Sequence, residues 1–591
     1  MRHPTFLVSA AAVAAVLAGC SSAADAAADP STGDGSTSVA VAGQSVTEAM
    51  AANTAPAKTP TSTGDEVEID LGNPASGDGY SADGSTITIT AAGTYRISGT
   101  LPDGSVVVNT ADEGIVTLVL DDASLISSTT SPLQVLDAQQ VVVQLTGDNH
   151  LSDATDYADT DGASAALFST ADLWITGDGS LSVDGNMNDG IASKDGLVVV
   201  SGTITVDAVD DGIRGKDDLV VEGGTLRVTA GGDGLTSDNV DDAALGYVSV
   251  GGGDVTISAG DDGISAATDV IVADGTLSVT TGDAASEDAK GLSAEVSVVI
   301  GGGTSWVDTA DDAIHSTGAV SVSGGTLTLA SDDDGIHADA TLDISDGTVD
   351  ITQAYEGLES ALITVSGGSV SMVTQDDGVN ASDGGGGEQQ PGAAASADAS
   401  VGLTITGGTL VVDSGGDGLD ANGFLTMTGG TAVVNGPTND GNGALDVDST
   451  FDVSGGTILA AGASGMAMTP ADTSAQSFVA FTFESAQPAG TVVHVLDADG
   501  SALAAFESTK EFSSVVYSSA SLESGQTYSA ATGGSVSGET VGGLAPAGSS
   551  DGSTVVTTGV AGEAVSGMGG GPGGGMRGGP PPAGDGGGQR P

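Results

Sequence analysis

The feature that most constrains the fold is a short acidic motif that recurs along the chain. Two Asp or Asn residues precede Gly and then Ile, Leu or Val, as in Asp210-Asp211-Gly212-Ile213. The Gly, or the residue in its place, falls at Gly190, Gly212, Gly234, Gly263, Gly291, Ala313, Gly335, Gly357, Gly378, Gly418, Gly443 and Gly465. Six of these eleven intervals are 22 residues. A period in the low twenties predicts a solenoid of short coils.

A second landmark, a Gly-Gly pair followed by Thr or Ser and an aliphatic residue, gives many of the coils another corner, as in Gly223-Gly224-Thr225-Leu226. The strands between corners alternate apolar and polar residues, with inward residues such as Ile336, Leu342 and Ile344. The regular Leu and Asn positions of leucine-rich repeats are absent from the sequence. We therefore predict a parallel β-helix, in which glycines allow positive φ at corners and longer intervals are corner insertions.

Composition agrees with an all-β chain and excludes one class of partner. Of 591 residues 95 are Gly, aromatic residues make up 3%, and no long stretch shows helical apolar spacing. The net charge is −69, with only 11 Lys and Arg. Because binding to a phosphate backbone requires a basic surface, we expect no nucleic-acid partner.

The N-terminus reads MRHPTFLVSAAAVAAVLAGC, an apolar run too short for a permanent membrane helix and typical of an export signal. Its Leu-Ala-Gly-Cys end resembles the bacterial lipobox, which implies that Cys20 is lipidated. Cys20 is the only cysteine, so disulfides are excluded. We predict an exported monomer, anchored by lipid on the outer face of the cytoplasmic membrane or at the cell surface.

The composition along the chain predicts six segments. They are a lipoprotein signal peptide (1–19), a disordered tether (20–63), an N-terminal β cap (64–120), the parallel β-helix (121–470), a small C-terminal β module (471–545) and a disordered Gly/Pro-rich tail (546–591).

Stacked coils bring the recurring carboxylates together. Equivalent positions of neighbouring coils lie about 4.8 Å apart, where two charges repel by about 3.5 kcal/mol at an effective dielectric of about 20. Ca²⁺ would relieve this repulsion, since it accepts six to eight oxygens in flexible geometry. The predicted metal ligands are Asp210, Asp211, Asp261, Asp262, Asp311, Asp312, Asp333, Asp334, Glu356, Asp376, Asp377 and Asp417. Alternatively, each Asp accepts a hydrogen bond from the turn that follows it.

A second column lies two positions beyond each motif glycine. It contains Arg214, Thr236, Ser265, Ser293, His315, His337, Glu359, Asn380 and Asp420. Polar side chains in register on a flat sheet can bind the hydroxyl groups of a repeating polymer. His315 and His337, on adjacent coils, could instead hold a transition metal, and the sequence leaves this open.

Several of these motifs resemble one protein family. The segments NDGIASKDGLVVVSGTITV, DDGIRGKDDLVVEGGTLRV, GDGLDANGFLTMTGGTAVVNGP and GNGALDVDSTFDVSGGTILAAGASGMA resemble the bacterial carbohydrate-binding-domain proteins, secreted β-helix lipoproteins similar in fold to pectate lyases. The resemblance, from about Ser85 to Ala530, implies a right-handed parallel β-helix with calcium sites that binds polysaccharide without established catalysis. The run from Gly416 to Met466 matches best, which implies binding roles for Asp417, Asp420, Asn422, Asn442 and Asp446. Lys290 and Ala313 interrupt the acidic column.

These observations predict non-catalytic, calcium-dependent binding of an extracellular acidic or plant-type polysaccharide. The substrate-binding residues would be His315, His337, Glu359, Asn380, Asp420, Asn422, Asn442 and Asp446. One alternative is a calcium-dependent polysaccharide lyase, which requires a base near the ion and would use Arg214 or Lys216. A structural adhesin or spacer is the other.

Overall fold

A computed structural model describes residues 41–61, 65–156, 163–282, 288–383, 400–546 and 548–563. The predicted signal peptide, Cys20, most of the Gly-rich insertion and the end of the predicted tail lie outside these residues. The described part has one helix, α1 (Val46–Ala52), and is otherwise β-structure, as predicted. This helix is far too short to cross a membrane, and no other helix is found in the described residues.

The first coils of the solenoid are built by nine strands. They are β1 (Glu66–Asp70), β2 (Tyr80–Asp83), β3 (Thr86–Ile89), β4 (Gly93–Leu101), β5 (Ser105–Asn109), β6 (Ile115–Ile126), β7 (Leu133–Asp137), β8 (Gln140–Thr146) and β9 (Asp148–Ser152). Strands β2 and β3 form an antiparallel hairpin, whereas β1 pairs with β4, and β4 with β6, in parallel. The predicted N-terminal cap is therefore the beginning of the coil stack itself.

The regular coils follow, with three strand positions in each. Their strands are β10 (Ala165–Ser169), β11 (Leu173–Gly177), β12 (Ser180–Gly185), β13 (Asp189–Ser193), β14 (Leu197–Val199), β15 (Thr203–Ala208), β16 (Ile213–Gly215), β17 (Asp218–Val221), β18 (Thr225–Ala230), β19 (Leu235–Ser237), β20 (Tyr247–Val250), β21 (Asp254–Ala259), β22 (Ile264–Ala266), β23 (Asp269–Val272), β24 (Thr276–Thr281), β25 (Leu292–Ala294), β26 (Ser297–Ile300), β27 (Thr304–Thr309), β28 (Ile314–Ser316), β29 (Ala319–Ser331), β30 (Ile336–Ala354), β31 (Leu358–Val365), β32 (Ser369–Thr374), β33 (Val379–Ala381), β34 (Gly402–Ile405), β35 (Thr409–Ser414), β36 (Leu419–Ala421), β37 (Phe424–Met427), β38 (Thr431–Asn435), β39 (Leu445–Val447), β40 (Phe451–Val453) and β41 (Thr457–Gly462).

Each strand position stacks in parallel on the same position of the next coil. We call the three stacks stack 1 (containing β13, β16 and β19), stack 2 (containing β14, β17 and β20) and stack 3 (containing β15, β18 and β21). The long strands β29, β30 and β31 continue around corners and belong to more than one stack. The predicted parallel β-helix is confirmed, with about 15 turns of roughly 24 residues.

Inward aliphatic side chains from all three stacks form one continuous core along the coils. Ile213, Leu219 and Leu226, one from each stack in a single coil, are fully buried. Because a single coil cannot cover its own apolar side chains, the neighbouring coils are required for this burial.

The glycines at the two kinds of corner have different causes. The second glycine of each Gly-Gly pair has a positive φ, as at Gly224 (96°) and Gly325 (87°), which agrees with the predicted role. The motif glycines do not have positive φ. A Cβ at Gly212 would lie 2.2 Å from Val228 Cγ1 and 2.6 Å from the carbonyl oxygen of Gly234. At these positions the next coil approaches so closely that there is no room for a side chain, and glycine is therefore required.

The predicted disordered tether is wrong for the segment that contains α1. Ser45 and Glu48 form a capping box at the start of α1, and Ala49 is completely buried against stack 2. Gln44 N donates to Ser321 Oγ (3.0 Å), and Tyr247 Oη donates to the carbonyl oxygen of Thr54 (3.0 Å). Residues 43–54, which we call the strap, therefore lie across several coils. The strap packs against apolar side chains that point outward from stack 2. The composition of the segment itself does not show this contact, so the prediction missed it.

The C-terminal module is a set of mainly antiparallel strands. They are β42 (Phe478–Gln487), β43 (Val492–Leu496), β44 (Ala502–Glu507), β45 (Phe512–Ser518), β46 (Thr527–Thr532), β47 (Ser535–Val536), β48 (Leu544–Ala545), β49 (Gly548–Ser549) and β50 (Thr554–Val560). Strand β45 pairs antiparallel with β41, which attaches the module to the last coil. The predicted end of the module at 545 is wrong, because β50 pairs with β46 and completes the sheet.

Candidate functional site

The outward side chains of stack 1 form a single polar column. Its three-residue strands bury their two end residues and, except in β19, leave the central one partly exposed, as in β16, where Arg214 lies between Ile213 and Gly215. The residues in direct register are Arg214, Thr236, Ser265, Ser293, His315, His337, Glu359, Asn380, Asp420 and Asp446. The structure therefore brings together six of the eight predicted substrate-binding residues.

Beside this column lies an acidic ladder, formed by the second carboxylate of each motif. Asp211 Oδ1 accepts a hydrogen bond from the amide of Asp233 (3.1 Å), and Asp233 Oδ1 accepts one from the amide of Asp262 (3.1 Å). Asp312 Oδ1 accepts from Asp334 N at 3.0 Å. The alternative drawn from the sequence, that each aspartate accepts a backbone hydrogen bond, is therefore correct for one carboxylate oxygen of each of these residues. The donor belongs to the next coil and not to the following turn.

Burial and like charge together disfavour ionisation of several ladder carboxylates. Burial is the largest cause and raises the pKa of Asp189 to about 7, of Asp233 to about 8 and of Asp377 to about 7. In the polar column, burial and then the nearby Asp377 and Asp446 raise the pKa of Asp420 to about 8. A bound cation would favour the ionised forms of these same groups.

The two histidines of the polar column share a buried carboxylate. Asp312 Oδ2 lies 2.8 Å from His315 Nδ1 and 3.4 Å from His337 Nδ1, and Asp312 is 3% exposed. Although burial acts in the opposite direction, these histidines hold the pKa of Asp312 well below its usual range. The histidine rings lie 5.0 Å apart, edge to face. Asp334, His337 and Glu359 form an adjoining group with ligand atoms within 4.8 Å of one another.

The group best suited to Ca²⁺ lies farther along the ladder. Carboxylate oxygens of Asp377, Asp417 and Asp420 lie within 4.8 Å of one another, from two adjacent coils. All three offer hard oxygen ligands, which Ca²⁺ prefers. A second all-oxygen group combines Asp311, Asp312 and Asp333.

The first carboxylates of the motifs lie on the solvent side of the ladder. Asp210, Asp261 and Asp333 are exposed, whereas Asp311 and Asp376 are half-buried. The ladder also includes Asp189 and Asp233, which were not among the predicted ligands although they occupy the same motif position. Both residues are 22 residues from Asp211, so the repeat spacing alone was enough to add them to the predicted ligands.

Two predicted residues are displaced from these columns. Leu419 N donates to the carbonyl oxygen of Ala444, so Ala444 is the equivalent of Gly418, and the predicted alignment through Gly443 is wrong by one residue. The chain takes 26 residues from Asp417 to Gly443, the residue that occupies the ladder position of this coil, so Asn442 lies outside the ladder. Asn422 is exposed at the corner after β36. Gly465 follows the last coil, and its amide donates a hydrogen bond to Asp440 Oδ1. It is therefore not equivalent to the motif glycines of the coils.

Three basic residues interrupt the acidic surface. Arg214 Nη2 lies 2.8 Å from Asp189 Oδ2, and Arg214 Nη1 lies 3.6 Å from Asp238 Oδ2. Lys290 replaces an acid in the ladder, and its Nζ lies 2.5 Å from Asp311 Oδ2. Lys216 begins the corner after β16, where its amide donates to Ser193 O.

The fold is that of a parallel β-helix with an acidic ladder and a polar column. Residues 83–335 match the model of a family described as "Carbohydrate-binding domain-containing protein", which confirms the predicted resemblance over that part of the chain. A protein of the same description from Acetivibrio thermocellus is 34% identical over 137 residues, or 22% of this chain and 48% of the relative. The chain thus spans about half the length of that relative.

A solved structure is also similar in sequence. Its title is "Structure of the polysaccharide lyase-like protein from C. thermocellum, Gadolinium derivative". It is 29% identical and covers 44% of this chain and 97% of its own, with a TM-score of 0.34.

Proposed function

We propose that this protein binds carbohydrate along the polar column of stack 1. The observation that carries the proposal is the register of His315, His337, Glu359, Asn380 and Asp420 on five successive coils. Imidazole, carboxylate and amide groups can donate hydrogen bonds to sugar hydroxyls or accept them. A straight column of such groups suits an extended polymer with repeating hydroxyls. The match of residues 83–335 to a carbohydrate-binding-domain family supports this choice of ligand.

We propose Ca²⁺ as the cofactor of this surface, held by Asp377, Asp417 and Asp420. The support is the convergence of three carboxylates on adjacent coils. When bound, Ca²⁺ would offset the negative charge and could itself contact an acidic sugar. Asn380 and Asp446 flank Asp420 in the column and would bind neighbouring sugar hydroxyls.

The lyase alternative shares this calcium-dependent surface but needs a base. Arg214 is held by Asp189 and Asp238, and a guanidinium does not deprotonate in proteins. Lys216 would then be the remaining predicted base. The binding experiment below includes a readout for cleavage, so it distinguishes a lyase from a binding protein.

The test is retention of the purified protein on polygalacturonate, cellulose and peptidoglycan, with CaCl₂ or with EDTA. The variant His337→Ala/Asn380→Ala/Asp420→Ala removes three of the five side chains on which the proposal rests. The variant Thr256→Ala/Ser278→Ala/Thr328→Ala removes outward polar groups of stack 3 on three of four successive coils, with Trp306 left in place between Ser278 and Thr328, and is the matched control. We expect at least tenfold weaker retention for the first variant and for wild type in EDTA, with the control unchanged.

Unchanged retention of the column variant, or an equal loss in the control, would contradict the proposed surface. Absorbance of unsaturated products is followed in the same samples, and an increase would identify a lyase. If the protein is neither retained nor active on these polymers, the spacer function is favoured.

We also propose that the protein acts outside the cytoplasm, anchored through lipidated Cys20. The support is the lipobox-like Leu-Ala-Gly-Cys sequence after an apolar run. Labelling with a fatty-acid analogue in a bacterial host should mark the wild type and not Cys20→Ala. Labelling of both proteins would contradict the anchor without affecting the glycan proposal.

A further inference from the structure

Two histidines and one buried aspartate meet on adjacent coils of stack 1. His337 stands directly opposite His315 in the next coil, and Asp312 precedes His315 by three residues. One ring nitrogen of each histidine and one carboxylate oxygen of Asp312 lie within 4.8 Å of one another. We call these three residues the histidine site. They differ from the acidic groups of the ladder because two of the three converging atoms are nitrogen.

The distances between these atoms are close to those between the ligands of one small ion. Zn²⁺ binds nitrogen and oxygen at about 2.0 to 2.2 Å in tetrahedral sites, so two of its ligand atoms lie about 3.3 to 3.6 Å apart. His337 Nδ1 lies 3.4 Å from Asp312 Oδ2. His315 Nδ1 lies 2.8 Å from the same oxygen, a hydrogen-bond distance that an ion would lengthen by about 0.5 Å.

The atoms of the site that face away from the cluster have partners that orient the ligands. Asp312 Oδ1 accepts the amide of Asp334 (3.0 Å), which leaves Oδ2 to the histidines. On the other edge of the His337 ring, Nε2 lies 3.5 Å from Asp339 Oδ1. A carboxylate beside the second ring nitrogen is the usual companion of a metal-bound histidine, because it favours the tautomer whose first nitrogen is free to bind the metal.

The charge around the site favours a divalent cation, and the ligand type indicates which one. Asp334 Oδ2 and Glu359 Oε2 lie 3.5 Å and 3.9 Å from His337 Nδ1, so both add negative charge beside Asp312. Ca²⁺ takes oxygen ligands, whereas imidazole nitrogen suits Zn²⁺ and related transition metals. Two nitrogens therefore distinguish this site from the all-oxygen groups of the ladder.

We propose that Asp312, His315 and His337 bind Zn²⁺, with Asp312 Oδ2 and the two Nδ1 atoms as ligands. A water molecule or a sugar hydroxyl completes the tetrahedron, as is common where a protein supplies three ligands. The ion links two successive coils. The site shares two residues with the polar column but does not rest on the proposed function, because zinc binding is measured without carbohydrate.

The test is titration of metal-stripped protein, without a polyhistidine tag, with Co²⁺ and Zn²⁺. Tetrahedral Co²⁺ absorbs visible light far more strongly than hydrated Co²⁺ and so reports the coordination directly. We expect one equivalent of Co²⁺ to produce this absorption at pH 7.5, Zn²⁺ to abolish it and excess Ca²⁺ to leave it unchanged. At pH 5.5 it should be at least tenfold weaker, because protons compete with the metal for the imidazoles.

The variant His315→Gln/His337→Gln removes both nitrogen ligands and should lower the Zn²⁺ affinity at least tenfold. His150→Gln is the matched control, because His150 Nε2 also lies near a carboxylate, 3.0 Å from Asp184 Oδ2. The residues opposite His150 in the adjacent coils are serines, so it forms no histidine pair along the stack. This control should bind Zn²⁺ as wild type does.

Calorimetry counts the zinc ions, and circular dichroism verifies that each variant folds, with His337→Gln alone as a milder second variant. Loss of one ion and of the Co²⁺ absorption in the double variant, but not in the control, supports the site. The proposal is overturned if wild type binds no Zn²⁺, if the histidine variants bind it as tightly as wild type, or if Ca²⁺ displaces Co²⁺ at equal concentration.

Carbohydrate retention is a separate measurement on the same stripped protein, returned to CaCl₂ with or without ZnCl₂. A protein that binds Zn²⁺ but no carbohydrate contradicts only the proposed function. A protein that binds carbohydrate but no Zn²⁺ contradicts only the histidine site.

Discussion

His337 Nδ1 lies 3.4 Å from Oδ2 of Asp312, a carboxylate of the preceding coil. The ion pair exists only because the 22-residue spacing places the two residues on adjacent coils and the motif places them in neighbouring columns. Burial is the largest single influence and acts to lower the pKa of His337. The hydrogen bond with Asp312 and the negative charges of Asp312, Glu359 and Asp339 together outweigh burial, so the net pKa is raised.

The first prediction concerns this pair. In Asp312→Asn, the pKa of His337 should fall, since the charged partner is lost while the ring stays buried. Histidine proton signals followed by NMR between pH 5 and 8 measure it. Asp308→Asn, an exposed aspartate of stack 3, is the control. An unchanged His337 pKa in Asp312→Asn would contradict the assignment.

The second prediction separates the two roles of a ladder aspartate. Asp233→Asn keeps an oxygen that can accept the amide of Asp262 and removes a charge, so the melting temperature at pH 8 without calcium should be equal or higher. Asp233→Ala removes the acceptor and should destabilise by about 1 kcal/mol. Thermal unfolding measures both. Equal losses in the two variants would show that the hydrogen bond contributes nothing.

The third prediction is a dependence on pH. The pKa values of Asp189, Asp233 and Asp420 are raised to about 7 or 8 in the folded protein, above about 3.9 for unfolded Asp. The folded state therefore holds more protons, and its stability should decrease as pH rises from about 4 through about 8. Melting in chelated buffers measures this. A melting temperature that rises steadily from pH 5 to 8 would contradict it.

The fourth prediction is that calcium opposes this loss. A cation that binds only folded carboxylates should raise the melting temperature most at pH 8, where the carboxylates are ionised. The comparison is between melts in CaCl₂ and in EDTA at pH 5.5 and pH 8, with matched ionic strength. An unchanged melting curve on chelation would count against structural calcium.

The fifth prediction tests the strap. Ala49 is completely buried, so Ala49→Asp would bury an unpaired charge, and we expect the strap to detach at a cost of about 2 kcal/mol or more. Hydrogen exchange should become fast in residues 43–54 while the coils stay protected. Ala51→Asp, exposed on the same helix, is the matched control. Slow exchange in Ala49→Asp would show that the strap tolerates the charge.

Much of the fold could be predicted, because in a repeat the spacing of the motif gives the register between neighbouring strands. The distance from Gly212 to Gly234 is one coil, and hydrophobic alternation identifies Ile213 and Leu235 as inward neighbours. The alignment fails where a loop changes length, as before Ala444, because local spacing no longer equals one coil. The strap and β50 were missed for another reason. Their stability comes from surfaces formed by distant residues, such as Ile271 for the strap and β46 for β50.

The sequence by itself determined that acids would stack in a column, since period and motif repeat together. Only the tertiary structure decided what each carboxylate does. Asp233 accepts the backbone amide of the next coil with one oxygen, and Asp312 lies against two histidines. Asp218 is buried, and its Oδ2 has no hydrogen-bond partner among the described residues. The physical reason is that the state of a carboxylate depends on its solvation and on the charges within a few ångströms, and here those neighbours come from other coils.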